Sequence, residues 1–166
     1  MGDHGARQLS PLFDRRIVRW DDRAKVYKLE LDDGFRGILR ELMGQFLTLL
    51  DDPGAPLLYR LFPPAYSDPG DVALQDEYRR LMMEDLVERR QEECRMVLET
   101  AGAKTLTEEQ LFAWSRTINS LRLALGTYLD VKDDDQPQVP TSTEESAYQL
   151  LSWLLEETID AMSRHT

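Results

Sequence analysis

No stretch of the chain constrains its fold more than Thr107 to Leu129, TEEQLFAWSRTINSLRLALGTYL. Leu111, Trp114, Ile118, Leu121, Leu125 and Leu129 recur at steps of 3, 4, 3, 4 and 4, so on a helix they form one unbroken apolar stripe. The spacing predicts a core helix over 107–129. Thr107 followed three residues later by Gln110 is a capping-box start, in which each side chain satisfies a backbone N–H that the first turn leaves orphaned. Beside the stripe runs a second row, Ser115, Asn119, Arg122 and Gly126. Polar and small residues along the border of an apolar stripe predict partly buried hydrogen bonds and a close helix approach.

Four further helices are expected around it. Asp32-Asp33-Gly34 opens one over about 34–50, with Phe35, Ile38, Leu39, Leu42, Phe46, Leu49 and Leu50 as its apolar face. Asp52-Pro53 and Asp68-Pro69 are start signals, because Asp caps and Pro is pre-shaped for the first helical position. They predict a short helix over 53–62, stopped by Pro63-Pro64, and the longest helix over 69–101, ended by Gly102. The long helix carries Leu74, Tyr78, Leu81, Leu86, Cys94, Val97, Leu98 and Ala101, with a polar interruption near Asp85, Arg89 and Arg90. Lys132 to Pro140 reads as an exposed, mobile loop. Thr141 with Glu144 predicts a second capping box and a last helix over 143–163. Its two apolar rows, one through Tyr148, Leu151, Leu155, Ile159 and Met162 and one through Leu150, Leu154 and Ala161, need two neighbours.

At the other end, residues 1–14 lack periodicity and predict a flexible tail. Residues 15–31 switch to period 2, with Ile17, Val18 and Trp20 in one run and Tyr27, Leu29 and Leu31 on one face of the next. Joined through Asp21-Asp22-Arg23-Ala24, they predict an antiparallel β-hairpin that must lie on the helices, since an isolated hairpin is marginal in water. The expectation is a mainly α fold: a single domain over 15–166, a helical bundle of about five helices with an N-terminal antiparallel β-hairpin.

Composition narrows the chemistry. Runs without charge are short, Leu42 to Leu50 among the longest, and the N-terminus lacks an apolar signal core, so a cytoplasmic protein with no membrane span is expected. Cys94 is the only cysteine, and the two histidines, His4 and His165, lie near the termini, which disfavours a disulfide, a cysteine-rich metal site and histidine catalysis. No Glu-x-x-His pair, phosphate loop or nucleophile elbow is present, so no catalytic residue, metal or cofactor is expected. The net charge is −11: residues 1–40 carry 9 basic against 7 acidic side chains, and residues 41–166 carry 11 against 24. Phosphate repels such an acidic body, which disfavours direct nucleic-acid binding.

Two groups of residues remain as candidate sites. The central polar row of Asn119, Arg122 and Gly126 could meet Asp85 of the long helix, Arg122 and Asp85 forming a buried register-fixing pair or a clamp for a carboxylate or phosphate. Arg15, Arg16, Arg19, Arg23, Lys25 and Lys28 make the hairpin basic, either to contact an acidic partner or to blunt an edge strand against aggregation.

INSLRLALGTYL, together with LYRLFPPAYSD, QDEYRRLMMEDL and ILRELMGQFLTLL, resembles an actinobacterial family known as a domain of unknown function. One member is labelled an oxidative-stress transcriptional regulator that works with a stress sigma factor. The similar segments come one after another in the same order over roughly 15–162. The resemblance implies that Asn119, Leu121, Arg122, Leu123, Leu125 and Gly126, and Leu61, Phe62, Pro63 and Tyr66, are fold-defining positions. It also implies a protein partner, a sigma factor or another transcription component. A thiol sensor that closes an internal disulfide needs two cysteines in reach, and this chain departs from that with Cys94 alone. The function expected is that of a non-enzymatic cytoplasmic regulatory protein acting through protein–protein contacts in transcription or stress response, with a homodimer as a further option. The alternative is a small-molecule-binding helical bundle using Arg122 and its polar neighbours.

Overall fold

The computed structural model describes residues 16–62, 72–130 and 140–166. Strands β1 (Val18–Asp21) and β2 (Val26–Leu29) lead into helix α1 (Asp33–Leu49) and a three-residue 3-10 turn (Pro56–Leu58). Next come helix α2 (Val72–Thr100), strand β3 (Thr105–Leu106), helix α3 (Glu108–Tyr128) and helix α4 (Thr143–His165). The architecture is mainly helical with a small antiparallel sheet, ordered β1-β2-β3. Among the described residues the α-helices number four, not the expected five or so. The expected tail, Arg15, the Pro63-Pro64 stop, Tyr66, the Asp68-Pro69 start and residues 132–139 lie outside the described residues.

The missing helix is the one expected over 53–62. Pro56 has no N–H to return to the Asp52 carbonyl, and Gly54 is a poor helix former, so i→i−4 bonding cannot start there. Instead Ala55 N–H donates to Asp52 O at 3.0 Å and Leu58 N–H to Ala55 O at 2.9 Å, giving a run of tight turns. The turn still buries Leu58 and Phe62 in the core.

Helix α3 forms as its sequence requires. Gln110 N–H donates to Thr107 Oγ1 at 3.1 Å and Thr107 N–H to Gln110 Oε1 at 2.9 Å, closing the capping box. Leu111, Trp114 and Ile118 are fully buried and Leu121 nearly so, while Leu125 and Leu129 are only half-buried. This helix packs against α2, α4, the 3-10 turn and strands β2 and β3 of the sheet. The second capping box is displaced by one residue: Ser142, not Thr141, is the N-cap of α4 and accepts from Glu145 N–H at 3.1 Å. The Glu145 carboxylate returns to Thr141 N–H at 2.7 Å.

The sheet is larger than a hairpin. β3 pairs Thr105 with Lys28 and Leu106 with Tyr27, and two residues are too few for any period to announce a strand. Tyr27 and Leu29 are buried beneath it as expected. Trp20 is wedged between Tyr27 and the ring of His165, the latter stacked at 3.7 Å, so the last residues of α4 hold down β1.

Helix α2 has two unlike halves. From Cys94 onward it is packed, with Cys94 and Val97 buried, as is Ala101 just past its end. Leu74, Tyr78 and Leu81 of the expected stripe, with Met82 beside them, are instead 75%, 65%, 59% and 55% exposed, so the part of the stripe before its polar interruption is not core. The reason is length: at 1.5 Å per residue its 29 residues span about 44 Å against about 26 Å for the 17 of α1, so α2 overhangs its neighbour. The helix ends at Thr100, two residues before Gly102, whose φ lies outside the left-handed region. The end is held by Arg36 of α1, whose Nη1 donates to Ala101 O and Ala103 O, both at 2.8 Å.

Candidate functional site, an arginine-lined cleft

Between α2, α3 and the 3-10 turn lies a cleft of about 440 Å³. Helix periodicity builds two of its walls: Leu86, Arg89, Arg90 and Glu93 share one face of α2, and Arg116, Asn119, Ser120 and Leu123 share one face of α3. Arg60 and Leu61 come from the residues just after the 3-10 turn. Among the described residues, four guanidinium groups and one carboxylate thus line the cleft, in a chain whose net charge is −11.

Glu93 organises the cations. Its Oε2 accepts from Arg90 Nη1 at 3.3 Å and its Oε1 from Arg116 Nη1 at 3.2 Å, so one half-buried carboxylate ties arginines of two helices together. Arg116 also rests on the Phe112 ring at 4.3 Å, which fixes the plane of its fork. Arg89 pairs outward with Asp85 at 2.9 Å, both largely exposed. Asn119, one of the lining residues, accepts through Oδ1 from Arg122 Nη2 at 3.3 Å, a bond that leaves both of its amide N–H donors unused.

Of the expected central row, then, Asn119 and Arg122 come together and Asp85 does not join them. Asp85 faces solvent and spends its charge on Arg89 one turn along α2. Arg122 lies instead 6.0 Å over the Tyr148 ring, its Nε buried without a partner. Gly126 marks the close helix approach: a Cβ there would sit 3.2 Å from Tyr148 Cε2 of α4. The cleft residues missed from sequence are Arg60, Glu93, Arg116 and Ser120, with Arg89 and Arg90 noted only as a break in a stripe. That break is the available signal, because a polar step in an apolar row is where a helix lines a wet cleft.

The basic hairpin is largely self-paired. Arg19 bonds Glu30, Lys25 reaches Asp22 at 2.9 Å and Lys28 reaches Asp21 at 3.5 Å. Asp21 is held below the usual carboxylate range chiefly by the Ala24 backbone N–H, and Asp22 by Lys25. Arg16 and Arg23 are exposed. With β1 at the sheet edge, these charges match the edge-protecting arrangement better than a convergent binding surface. Cys94 is fully buried, its Sγ 3.4 Å from Met43 O, and burial pushes its thiol up to about 11. His165 Nε2 lies 2.7 Å from Glu108 Oε1, which ties α4 to the start of α3.

Fold and cleft together define a small helical bundle with a sheet folded against one end. The chain belongs to the family described as a domain of unknown function (DUF2017), which matches residues 15–162. Comparison with curated proteins and with solved structures finds no match.

Proposed function

We propose that this is a non-enzymatic regulatory protein of the cytoplasm that works by protein–protein contact, in transcription or stress response as the actinobacterial resemblance implies. One observation carries the reading: the overhanging half of α2, where Leu74, Tyr78, Leu81 and Met82 present an exposed apolar row at helical spacing. An apolar row of this kind, rimmed by charge, marks a binding surface more often than a bare surface helix. Its i, i+4, i+7 geometry suits an amphipathic helix of a partner protein. Around the row, residues 74–85 carry the acids Asp76, Glu77, Glu84 and Asp85 against Arg79 and Arg80, so the complementary helix has basic flanks. A sigma factor or another transcription component is the partner that the resemblance suggests. Redox input through Cys94 is not part of this reading, because its thiol is buried and protonated at neutral pH.

The test uses the full chain as bait in native lysate, beside a Tyr78→Ser/Leu81→Asp variant, followed by binding measurements with the purified captured partner. The wild type is expected to bind saturably and the variant to lose at least tenfold in affinity with its melting temperature intact. Equal binding by both proteins would move the contact off α2. Self-association of the wild type alone in sedimentation would make the occupant a second copy of this chain.

A further inference from the structure

We propose that the arginine-lined cleft binds the phosphate group of a small molecule, a site independent of the α2 contact surface. Among the described residues, Arg89, Arg90 and Arg116 carry three positive charges against Glu93 and Asp85, an excess of one. Pairing inside the protein does not use up the donors. Arg90 and Arg116 each place one N–H on Glu93, and a guanidinium has five. Glu93 therefore acts as a positioning residue: it holds two forks from facing helices without neutralising both. The Asn119 amide, turned by Arg122, adds a neutral donor at the same wall, and Ser120 adds a hydroxyl-bearing side chain. Fork donors from two directions plus an amide suit an anion with three terminal oxygens better than a planar carboxylate with two.

The volume, about 440 Å³, is that of a site for a ligand of nucleotide size and not for an ion alone. Leu61, Leu86 and Leu123 supply apolar wall for the remainder of such a molecule. The acidity of the rest of the chain sharpens the assignment. Its long-range field repels anions, so binding must come from these converging donors at short range and must resist moderate salt better than a diffuse basic surface would.

The experiment titrates the isotope-labelled full chain with inorganic phosphate, pyrophosphate, adenosine monophosphate and citrate, with the arginine Nε–H and Asn119 side-chain amide signals read by NMR and affinity by calorimetry. Pyrophosphate and adenosine monophosphate are expected to shift the Arg90, Arg116 and Asn119 signals saturably, and citrate to bind at least tenfold more weakly. Arg116→Gln should weaken pyrophosphate about tenfold, the usual worth of one charge-assisted hydrogen bond. Asn119→Asp keeps an acceptor for Arg122 but sets a carboxylate in the cleft, and should abolish binding at an unchanged melting temperature. Arg95→Gln, an exposed arginine of α2 outside the cleft, should change nothing. Absence of saturable shifts at millimolar phosphates, citrate binding as tightly as pyrophosphate, or Arg95→Gln weakening binding as much as Arg116→Gln would each overturn the proposal.

Discussion

Arg36 shows how much one side chain can hold. It is buried to 6% exposure, and its guanidinium donates to the carbonyls of Leu31, Ala101, Ala103 and Leu29 at 3.0, 2.8, 2.8 and 3.2 Å. One cation thus joins β2, α1 and the end of α2, where it also meets the negative pole of the α2 dipole. Burial lowers its pKa without discharging it, since arginine stays protonated in proteins. Arg36→Met should cost roughly 3 to 5 kcal/mol in urea unfolding, because it strands several buried carbonyls at once; Arg36→Lys should recover little, a single ammonium being unable to span four acceptors. A loss under about 1 kcal/mol for the methionine variant would mean that water replaces the guanidinium. Nothing in the sequence marks this arginine, because two of its acceptors lie 65 and 67 residues away. Cys94 is readable, since its neighbours in the row are apolar. Its thiol is raised from 9.0 to about 11, so the stability it contributes is complete below pH 9 and drains away as pH rises through 11. Native protein should label with a thiol reagent far more slowly at pH 8 than the urea-unfolded chain, and diamide should give no disulfide-linked dimer on a non-reducing gel; prompt native labelling would show that the site opens.

At the scale of elements, legibility depends on the number of neighbours. Helix α3 is readable because it is packed on several sides: stripe, capping box and buried residues agree. Helix α2 repeats apolar residues along its whole length, and periodicity cannot say which half has a neighbour; relative helix length decides that. The 3-10 turn reads as a helix because Asp-Pro signals a start and says nothing of the next turn, where Pro56, four residues after Asp52, removes the needed N–H. The cleft is half legible, its α3 side as a polar row and its α2 side as an interruption. Two leucines, one on each helix, make the contrast measurable. Leu121, 8% exposed, should lose 2 to 5 kcal/mol on truncation to Ala, whereas Leu81, 59% exposed, should change by no more than about 0.5 kcal/mol. Comparable losses at both positions would show that the overhang is packed in solution.

Over the whole molecule the dominant physical fact is its negative charge, −11 on 166 residues, which keeps the surface hydrated and at the same time strains the folded state by self-repulsion. At Glu157 on α4 like charge adds to a cost that burial sets first. Burial is the first cause of its raised pKa and the charge of Asp160 the second, while the Ile17 N–H and Arg16 pull only partly the other way. A carboxyl whose folded pKa is raised above its unfolded 4.5 contributes stability fully below that value and loses it as pH climbs through the folded pKa. In its charged form Glu157 is therefore a net cost, although it sits where α4 meets the backbone leading into β1. Glu157→Gln keeps the shape and an acceptor for the Ile17 N–H while removing the charge. Its melting temperature should exceed that of the wild type at pH 7, by a margin that narrows in added salt and closes as pH falls below 4.5. If the variant instead melts lower than the wild type at pH 7, the charged bond to Ile17 outweighs both burial and Asp160, and the junction of α4 with β1 is held by the carboxylate rather than strained by it.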